Sequence, residues 1–265
     1  MTTPSRRRFH ELHESGTFVL PNAWDVGSAR ILAHLGFEAL ATTSSGFAAT
    51  MGRADQQATR DEVVAHCAAI TKAIDIPLNV DSERCYSDDL TGIAETVDLL
   101  AEAGAAGLSI EDYNPATGGI DPLDVAAARV AAAATACARH GIVLTGRAEN
   151  HLHGITDLDD TLARLHAYRD AGATAVYAPG LTSIEQIKRV VRGAGAPVNV
   201  LALRGGPPIP ELAAAGVRRV STGGALAWAA YGSLVIAARE LQTDGTSTYT
   251  DRTLPADIRA AAFPH

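Results

Sequence analysis

The chain has 265 residues, of which 47% are hydrophobic and 20% are charged, a composition typical of a globular protein. Its 22 basic and 30 acidic residues give a formal net charge of -8, which argues against nucleic acid or an acidic membrane as a partner. Three cysteines in no framework spacing, no signal peptide and no run of about 18 apolar residues predict a cytoplasmic protein outside the membrane.

Short β-branched segments alternate with longer alanine- and leucine-rich segments along the chain. The short segments predict strands and the longer, amphipathic ones predict helices. The predicted strands cover residues 17–23, 38–44, 77–83, 107–112, 142–150, 175–180, 198–203 and 218–223. The predicted helices cover residues 26–35, 60–74, 89–103, 122–140, 157–171, 183–194, 208–215 and 224–242. A basic N-terminal segment with Arg6, Arg7, Arg8, His10 and His13 precedes them and is interpreted as a solvated terminus.

The alternation predicts parallel strands joined by right-handed helical crossovers. Eight strand–helix units in about 250 residues fit a single (β/α)8 barrel of the TIM type. We place this barrel in residues 1–245 and a C-terminal tail in residues 246–265. A doubly wound open sheet is the alternative, but it would require a glycine-rich phosphate loop after the first strand, and PNAWDVGSA is not one.

Acidic residues end two neighbouring predicted strands, which is where barrel enzymes build their active sites. Asp81 and Glu83 end the third strand and face the same side, because they are two residues apart. Glu111 ends the fourth strand and would lie beside them. Three converging carboxylates require a cation or protons, and a set made only of oxygen ligands suits Mg²⁺ or Mn²⁺ rather than zinc.

Two further residues at strand ends have open interpretations. Arg147 ends the fifth strand and could bind a substrate carboxylate or phosphonate through both arms of its guanidinium. Alternatively, the strand-end acids cap the following helices or pair with basic residues, and Arg147 is then their partner. Trp24 ends the first strand and is predicted to form a pocket wall, with packing in the core as the equal alternative.

The segments TTSSG, GRAD (52–55), VDSE, SIED and GRAEN follow one another in an order that resembles the isocitrate lyase/phosphoenolpyruvate mutase superfamily. The resemblance covers nearly the whole chain. It implies a (β/α)8 barrel that forms a homo-oligomer, a dimer or a tetramer, often with the last helix exchanged between subunits. It also implies Mg²⁺-dependent cleavage or rearrangement next to the carbonyl of a 2-oxo or 2-hydroxy acid.

The resemblance also assigns roles to individual residues. Asp81 would bind the metal directly, and Glu83, Glu111 and Asp55 would reach it through water. Asp55 and Arg147 would be the catalytic pair. The residues that would bind the substrate are Trp24, Thr43, Ser44, Ser45, Gly46 and Arg147.

The sequence departs from the superfamily pattern at several positions. The K-[KR]-C-G-H loop of the lyases is replaced by YNPATGGIDP (113–122), which has no Cys, His or Lys. The glutamate at the end of strand six becomes Gly180, the asparagine of strand seven becomes Leu201, and a glycine after strand three becomes Cys85. Three functions stay open: a C–C lyase or hydrolase of a small di-acid that acts through an enolate-like intermediate, a phosphonopyruvate-type P–C hydrolase or mutase, and a barrel that binds a small acid without turnover.

Overall fold

A barrel of parallel strands forms the centre of the molecule, which the computed structural model describes over residues 3–263. The strands are β1 (Phe18–Leu20), β2 (Asn22–Ala23), β3 (Leu40–Thr42), β4 (Leu78–Asp81), β5 (Gly107–Glu111), β6 (Tyr113–Asn114), β7 (Gly119–Ile120), β8 (Val143–Arg147), β9 (Ala175–Tyr177), β10 (Val198–Leu201) and β11 (Arg219–Ser221). Nine of them form one sheet in the order β1-β11-β10-β9-β8-β5-β4-β3-β2, and the neighbours in it pair in parallel. β6 and β7 form a separate antiparallel hairpin.

The first strand closes the barrel. β1 and β2 are two parts of one segment interrupted at Pro21, which has no backbone N–H to donate to a neighbouring strand. β1 pairs with β11, and β2 pairs with β3, so the two ends of the sheet meet in this segment. Each of the eight predicted strands contains part of the barrel sheet. The TIM-type barrel is therefore confirmed, and the open doubly wound sheet is excluded.

The helices surround this barrel. They are α1 (Pro4–Leu12), α2 (Val26–His34), α3 (Ser44–Thr50), α4 (Arg60–Thr71), α5 (Leu90–Glu102), α6 (Leu123–His140), α7 (Leu158–Asp170), α8 (Ile184–Ala194), α9 (Ile209–Ala214), α10 (Ala225–Thr243) and α11 (Ala256–Ala262). Apart from α1, α3 and α11, each matches a predicted helix. Acidic side chains cap the amino ends of several helices. Asp89 accepts a hydrogen bond from the backbone N–H of Gly92 at 2.7 Å, and Asp157 accepts one from the backbone N–H of Asp159 at 2.8 Å.

The N-terminal segment closes the end of the barrel opposite the loops that follow the strands. The expectation of a solvated terminus is wrong for Arg6 and His13, because both are buried. Phe9 of α1 is fully buried and packs with Phe18 and other apolar residues at the amino ends of the strands. Arg6 donates to three backbone carbonyl oxygens at 2.6 to 3.0 Å, which fixes α1 to the barrel. No apolar pattern in this segment is strong enough to predict the helix from the sequence.

The C-terminal segment leaves the barrel and returns to it. Helix α10 buries Ala227 but leaves Trp228, Leu234 and Ile236 more than half exposed. Helix α11 then packs against α2, where Phe263 lies in an apolar groove. Within residues 3–263, no helix has both the length and the apolar composition that a membrane span requires.

Candidate active site

A cavity of about 190 Å³ lies at the carboxyl ends of the barrel strands. Six of the predicted site residues line it: Thr43, Ser44, Ser45, Asp55, Asp81 and Arg147. Glu83 and Glu111 lie beside it, behind this wall, and Trp24 and Gly46 are not part of its lining. The structure therefore brings together most of the predicted site: these six residues come from the start of α3, the loop after α3 and the ends of β4 and β8.

Arg147, the last residue of β8, lies among three acids. Its Nη1 is 3.4 Å from Asp81 Oδ1 and 3.2 Å from Glu111 Oε2, and its Nε donates to Glu149. β5 and β8 pair so that Glu111 is directly opposite Arg147. Burial alone would lower the pKa of Arg147, but the charges of Glu149, Glu111 and Asp81 outweigh it and raise this pKa well above its usual value. The guanidinium is therefore a permanent cation in a cluster of carboxylates.

The carboxyl groups in this cluster repel one another. Burial, followed by the charges of Asp81 and Asp55, raises the pKa of Glu83 to about 8. Burial likewise raises the pKa of Glu111 well above its usual range, although Arg147 opposes the shift. Asp55 is exposed as a whole residue, but its carboxyl faces the cavity. Partial removal of this carboxyl from water raises its pKa. Removing water from several acids at once is costly unless a cation or protons neutralise them.

The acids fit a divalent cation that keeps part of its water. Within residues 3–263, no group of three or more His, Cys, Asp or Glu side chains forms a ready set of direct ligands. Glu83 Oε1 is nevertheless buried and has no hydrogen-bond partner among residues 3–263. An acceptor of this kind, next to further carboxylates, suits Mg²⁺, which binds oxygen and usually retains several waters.

Helix α3 places the hydroxyl groups of the cavity wall. Thr43 caps this helix by accepting the backbone N–H of Gly46 at 3.4 Å. The backbone N–H of Ser44 donates to Asp81 Oδ2 at 3.0 Å, which links the helix to the acidic cluster. A Cβ atom on Gly46 would lie 2.6 Å from Thr43 Cγ2 and 2.9 Å from Trp24 Cβ, so close packing requires glycine here. Trp24 is half-buried and lines a separate apolar groove together with Phe263.

Asp112 supports the site from outside the cavity. Its Oδ2 accepts a hydrogen bond from Arg164 at 3.0 Å and another from the Tyr168 hydroxyl. Its Oδ1 accepts the backbone N–H of Glu149 at 2.8 Å. Because Glu149 pairs with Arg147, this buried network fixes the orientation of the guanidinium. Of the two adjacent acids that end β5, Glu111 belongs to the acidic cluster and Asp112 holds the neighbouring strand end.

Two groups of site residues were not found by sequence reasoning. Gln56, in the loop after α3, donates through Nε2 to Glu111 Oε1 at 3.0 Å, and nothing in its sequence context indicates this contact. The other group consists of polar residues inside the barrel: Asn22, Asn79, Thr145, Tyr177, Asn199, Arg219 and Ser221. Their signal is present in the sequence, because polar residues recur at every second position in several strands, as in Asn79 and Asp81.

Similarity to known proteins identifies the family of this chain. The sequence model described as phosphoenolpyruvate phosphomutase matches residues 9–242. The chain belongs to the phosphoenolpyruvate phosphomutase family. The resemblance to the isocitrate lyase/phosphoenolpyruvate mutase superfamily is thereby confirmed.

Three relatives illustrate the range of the phosphoenolpyruvate phosphomutase family. A crystal structure from Burkholderia cenocepacia, described only as a lyase/mutase, is 47% identical, with a TM-score of 0.93 over 98% of this chain and 97% of that one. An uncharacterized protein of Mycobacterium tuberculosis is 37% identical over 218 residues, which cover 81% of each chain. An oxaloacetate decarboxylase of Paraburkholderia xenovorans is 32% identical over 199 residues, which cover 71% of this chain and 65% of the relative.

The loop that departs most from the phosphoenolpyruvate phosphomutase family pattern is the β6–β7 hairpin. The Tyr113 ring stacks on His153 with 4.1 Å between ring centroids. Asp121 accepts hydrogen bonds from Arg84 at 2.7 Å and from Asn114 at 3.0 Å, which fixes the base of the hairpin. None of residues 113–121 is among those that line the cavity. The side chains of the hairpin therefore lie outside the cavity lining in this structure.

Two other departures from the phosphoenolpyruvate phosphomutase family pattern have steric consequences. Gly180 has a φ of 95°, and a Cβ atom there would lie 3.0 Å from His151 Cβ and 3.2 Å from Leu152 Cδ2. The short helical turn Asn150–His153 thus takes the space that a glutamate would need. Cys85 replaces a glycine but keeps a left-handed φ of 61°, at a cost of about 1–2 kcal/mol for such a residue. Cys85 therefore adopts a backbone conformation that glycine would adopt more readily.

Proposed function

We propose that this protein is a Mg²⁺-dependent carbon–carbon lyase or hydrolase of a small 2-oxo or 2-hydroxy di-acid, active in the cytoplasm. The observation that carries this proposal is Arg147 held among Asp81, Glu111 and Glu149 beside the cavity. Breaking a C–C bond beside a carbonyl moves an electron pair towards the carbonyl oxygen and produces an enolate-like intermediate. A fixed cation that faces this oxygen stabilises the developing charge. The likeness to an oxaloacetate decarboxylase supports a substrate of this class.

The acidic cluster would hold the ion. In this proposal Asp81 binds Mg²⁺ directly, and Glu83, Glu111 and Asp55 contact it through water. Glu83 offers the buried oxygen without a partner, and Asp81 lines the cavity where the substrate would lie. When bound, the ion would polarise the substrate carbonyl as a Lewis acid.

The cavity wall would hold the substrate. In this proposal the hydroxyl groups of Thr43, Ser44 and Ser45, which line the cavity, bind its first carboxylate, and Arg147 holds the oxygen on the neighbouring carbon. Asp55 arrives from the loop after α3 and completes the wall on the solvent side. Gly46 and Trp24 contribute the close packing that keeps α3 in place, which is an indirect part in substrate binding.

The lack of a proton donor from the 113–121 hairpin limits the reactions that the site can catalyse. Since the 113–121 hairpin does not line the cavity, cleavage that depends on an acid or base from this loop should be poor. General acid–base help is worth about 10²- to 10⁴-fold, so reactions of an already activated 2-oxo acid remain accessible without it. Cleavage of isocitrate or 2-methylisocitrate should therefore be slow.

Turnover of a substrate panel tests this proposal. We expect Mg²⁺-dependent release of product from oxaloacetate or a 2-hydroxy di-acid, abolished by a chelator, and little reaction with isocitrate or 2-methylisocitrate. The double variant Tyr113→Phe, Asp121→Asn should retain this activity, because these residues lie outside the cavity. Preferential turnover of phosphonopyruvate would favour the P–C enzyme instead. Saturable binding of every acid without turnover would favour the binding protein.

We also infer that the protein is a homo-oligomer, a dimer or a tetramer. Trp228, Leu234 and Ile236 expose 53%, 62% and 55% of their surface along α10. Large apolar side chains grouped on one helix are typical of a surface that another subunit covers. Light scattering on the purified protein should give a mass at least twice that of the 27.5 kDa chain, whereas a monomer at micromolar concentration would contradict this inference.

A further inference from the structure

A second arginine lies at the floor of the same cavity. Arg219 of β11 lines the cavity and is only 3% exposed. Its Nε donates to Asn199 Oδ1 at 2.9 Å, and its Nη2 donates to Thr145 Oγ1 at 2.9 Å. Its Nη1 is 3.4 Å from His13 Nε2. Three side chains from different elements therefore fix the plane of this guanidinium.

All three acceptors are uncharged. His13 Nδ1 is 2.7 Å from the Phe9 carbonyl oxygen and donates to it, which leaves Nε2 as an acceptor for Arg219. Burial, followed by the nearby Arg219, lowers the pKa of His13 to about 3, so the imidazole is neutral near pH 7. Burial lowers the pKa of Arg219 to about 10, and the guanidinium is still charged at this pH. Burying a cation without an anionic partner costs free energy, and an anion that binds beside it offsets this cost.

The two arginines of the cavity therefore differ in what they can bind. Arg147 is paired with three carboxylates, whereas Arg219 forms no ion pair with any residue in 3–263. A guanidinium has five N–H donors, and each nitrogen of Arg219 makes one of the three contacts described. One N–H on each terminal nitrogen is consequently left for an anion in the cavity.

The spacing along β8 between Arg147 and the residue that binds Arg219 suits a short di-acid. Thr145, which binds Arg219, is two residues before Arg147 on β8, and this corresponds to about 7 Å along the strand. The cavity wall around the two arginines is largely polar and includes Asn79, Ser109 and Ser221. A small acid held near Arg147 can extend a second carboxylate down the barrel axis towards Arg219.

We propose that Arg219 binds the distal carboxylate of the di-acid substrate at the floor of the cavity and so selects di-acids over mono-acids. This assignment rests on the proposed function of the site, and it adds the residue that recognises the second acid group. The position of Leu201 on the same wall supports it, because the upper wall of β10 offers no donor to a second carboxylate. The floor then provides the charged donor that β10 lacks at its carboxyl end.

A matched pair of ligands isolates the distal charge. Malate and 2-hydroxybutanoate have the same chain length, and the second carboxylate of malate is a methyl group in 2-hydroxybutanoate. Calorimetric titration in Mg²⁺ buffer should show that the wild-type protein binds malate at least about tenfold more tightly, as expected for a hydrogen bond to a charged group. Arg219→Gln should reduce this preference to about twofold or less, and Arg219→Lys should keep part of it because the charge remains.

Oxalate serves as the control ligand, because its two carboxylates are adjacent and neither would reach the floor. Its affinity should change by no more than about twofold in both variants, and a near-ultraviolet circular dichroism spectrum like that of the wild type would show that they fold. An unchanged malate preference in Arg219→Gln, or an equal loss of oxalate and malate binding in a folded variant, would overturn the proposal. If the wild-type protein binds no oxalate and turns over no acid, the proposed function itself fails, which is a different result.

Discussion

Replacing Asp81 by alanine is expected to abolish Mg²⁺ binding, with a loss of affinity of more than about a hundredfold. Residues that hydrogen-bond to the ligands of a metal are typically worth about 10- to 100-fold in metal affinity, so the loss of the direct ligand should exceed this range. Asp81 is the acid that touches the most site elements: the backbone of Ser44, the guanidinium of Arg147 and the cavity itself. Titration calorimetry with Mg²⁺ or Mn²⁺ measures the effect directly and does not depend on knowing the substrate.

Two further variants show whether this effect is specific. Glu111→Ala should weaken the binding of the ion without abolishing it, because we place Glu111 behind a water. Asp88→Ala is the matched control. The Asp88 side chain is fully exposed, and its ion pair with Arg84 is long, at 3.4 Å. Its metal affinity should equal that of the wild type. If Asp81→Ala and Glu111→Ala both bind Mg²⁺ as tightly as the wild type, the proposed ion site is wrong.

The barrel could be predicted from the sequence because each unit carries its own local signals. Strands bounded by glycine and helices begun by Asp89 or Asp157 specify where the elements lie, and the right-handed crossover rule leaves few topologies. Helix α1 could not be predicted in this way. Its role depends on Phe9 and Arg6 reaching into a barrel end that forms only when the strands come together. Contacts over this sequence distance leave no periodic pattern.

The acidic site was predictable for a similar reason. Asp81 and Glu111 end neighbouring parallel strands, so the topology alone brings them to one edge of the sheet. The pairing of Arg147 with these acids was one of two open interpretations, and the structure shows that it occurs. This pairing does not exclude substrate binding, because the guanidinium also lines the cavity.

The floor of the cavity was not predicted because its residues look ordinary one at a time. Asn199 lies between two valines in β10, and Arg219 alternates with Val220 in β11. A polar residue in a strand is usually interpreted as facing solvent. A barrel reverses this expectation, since the inward face of each strand is shared with seven others and need not be apolar near the site. Gln56 was not predicted for a different reason. Its contact with Glu111 depends on the path of the loop, in which Gln56 itself has a left-handed φ of 65°.

Replacing Arg147 by methionine should have the largest effect on turnover. Removing one donor that stabilises a developing oxyanion typically reduces kcat by about 10²- to 10³-fold, and Arg147 is a charged donor. The same change should also lower the free energy of unfolding by about 3–5 kcal/mol, because Glu111 and Glu149 would be left buried without their counter-charge. A loss of activity alone would therefore not distinguish catalysis from folding.

A double variant separates these two effects. Arg147→Met with Glu149→Gln removes both charges of the closest ion pair, so it should recover much of the melting temperature lost in the single variant. Turnover should stay at the level of Arg147→Met, because the neutral pair cannot hold the oxygen of the substrate. If activity returns together with stability, the role of Arg147 is to balance the buried acids. If only stability returns, the guanidinium acts on the substrate, and the three acids around it serve to fix its position and charge.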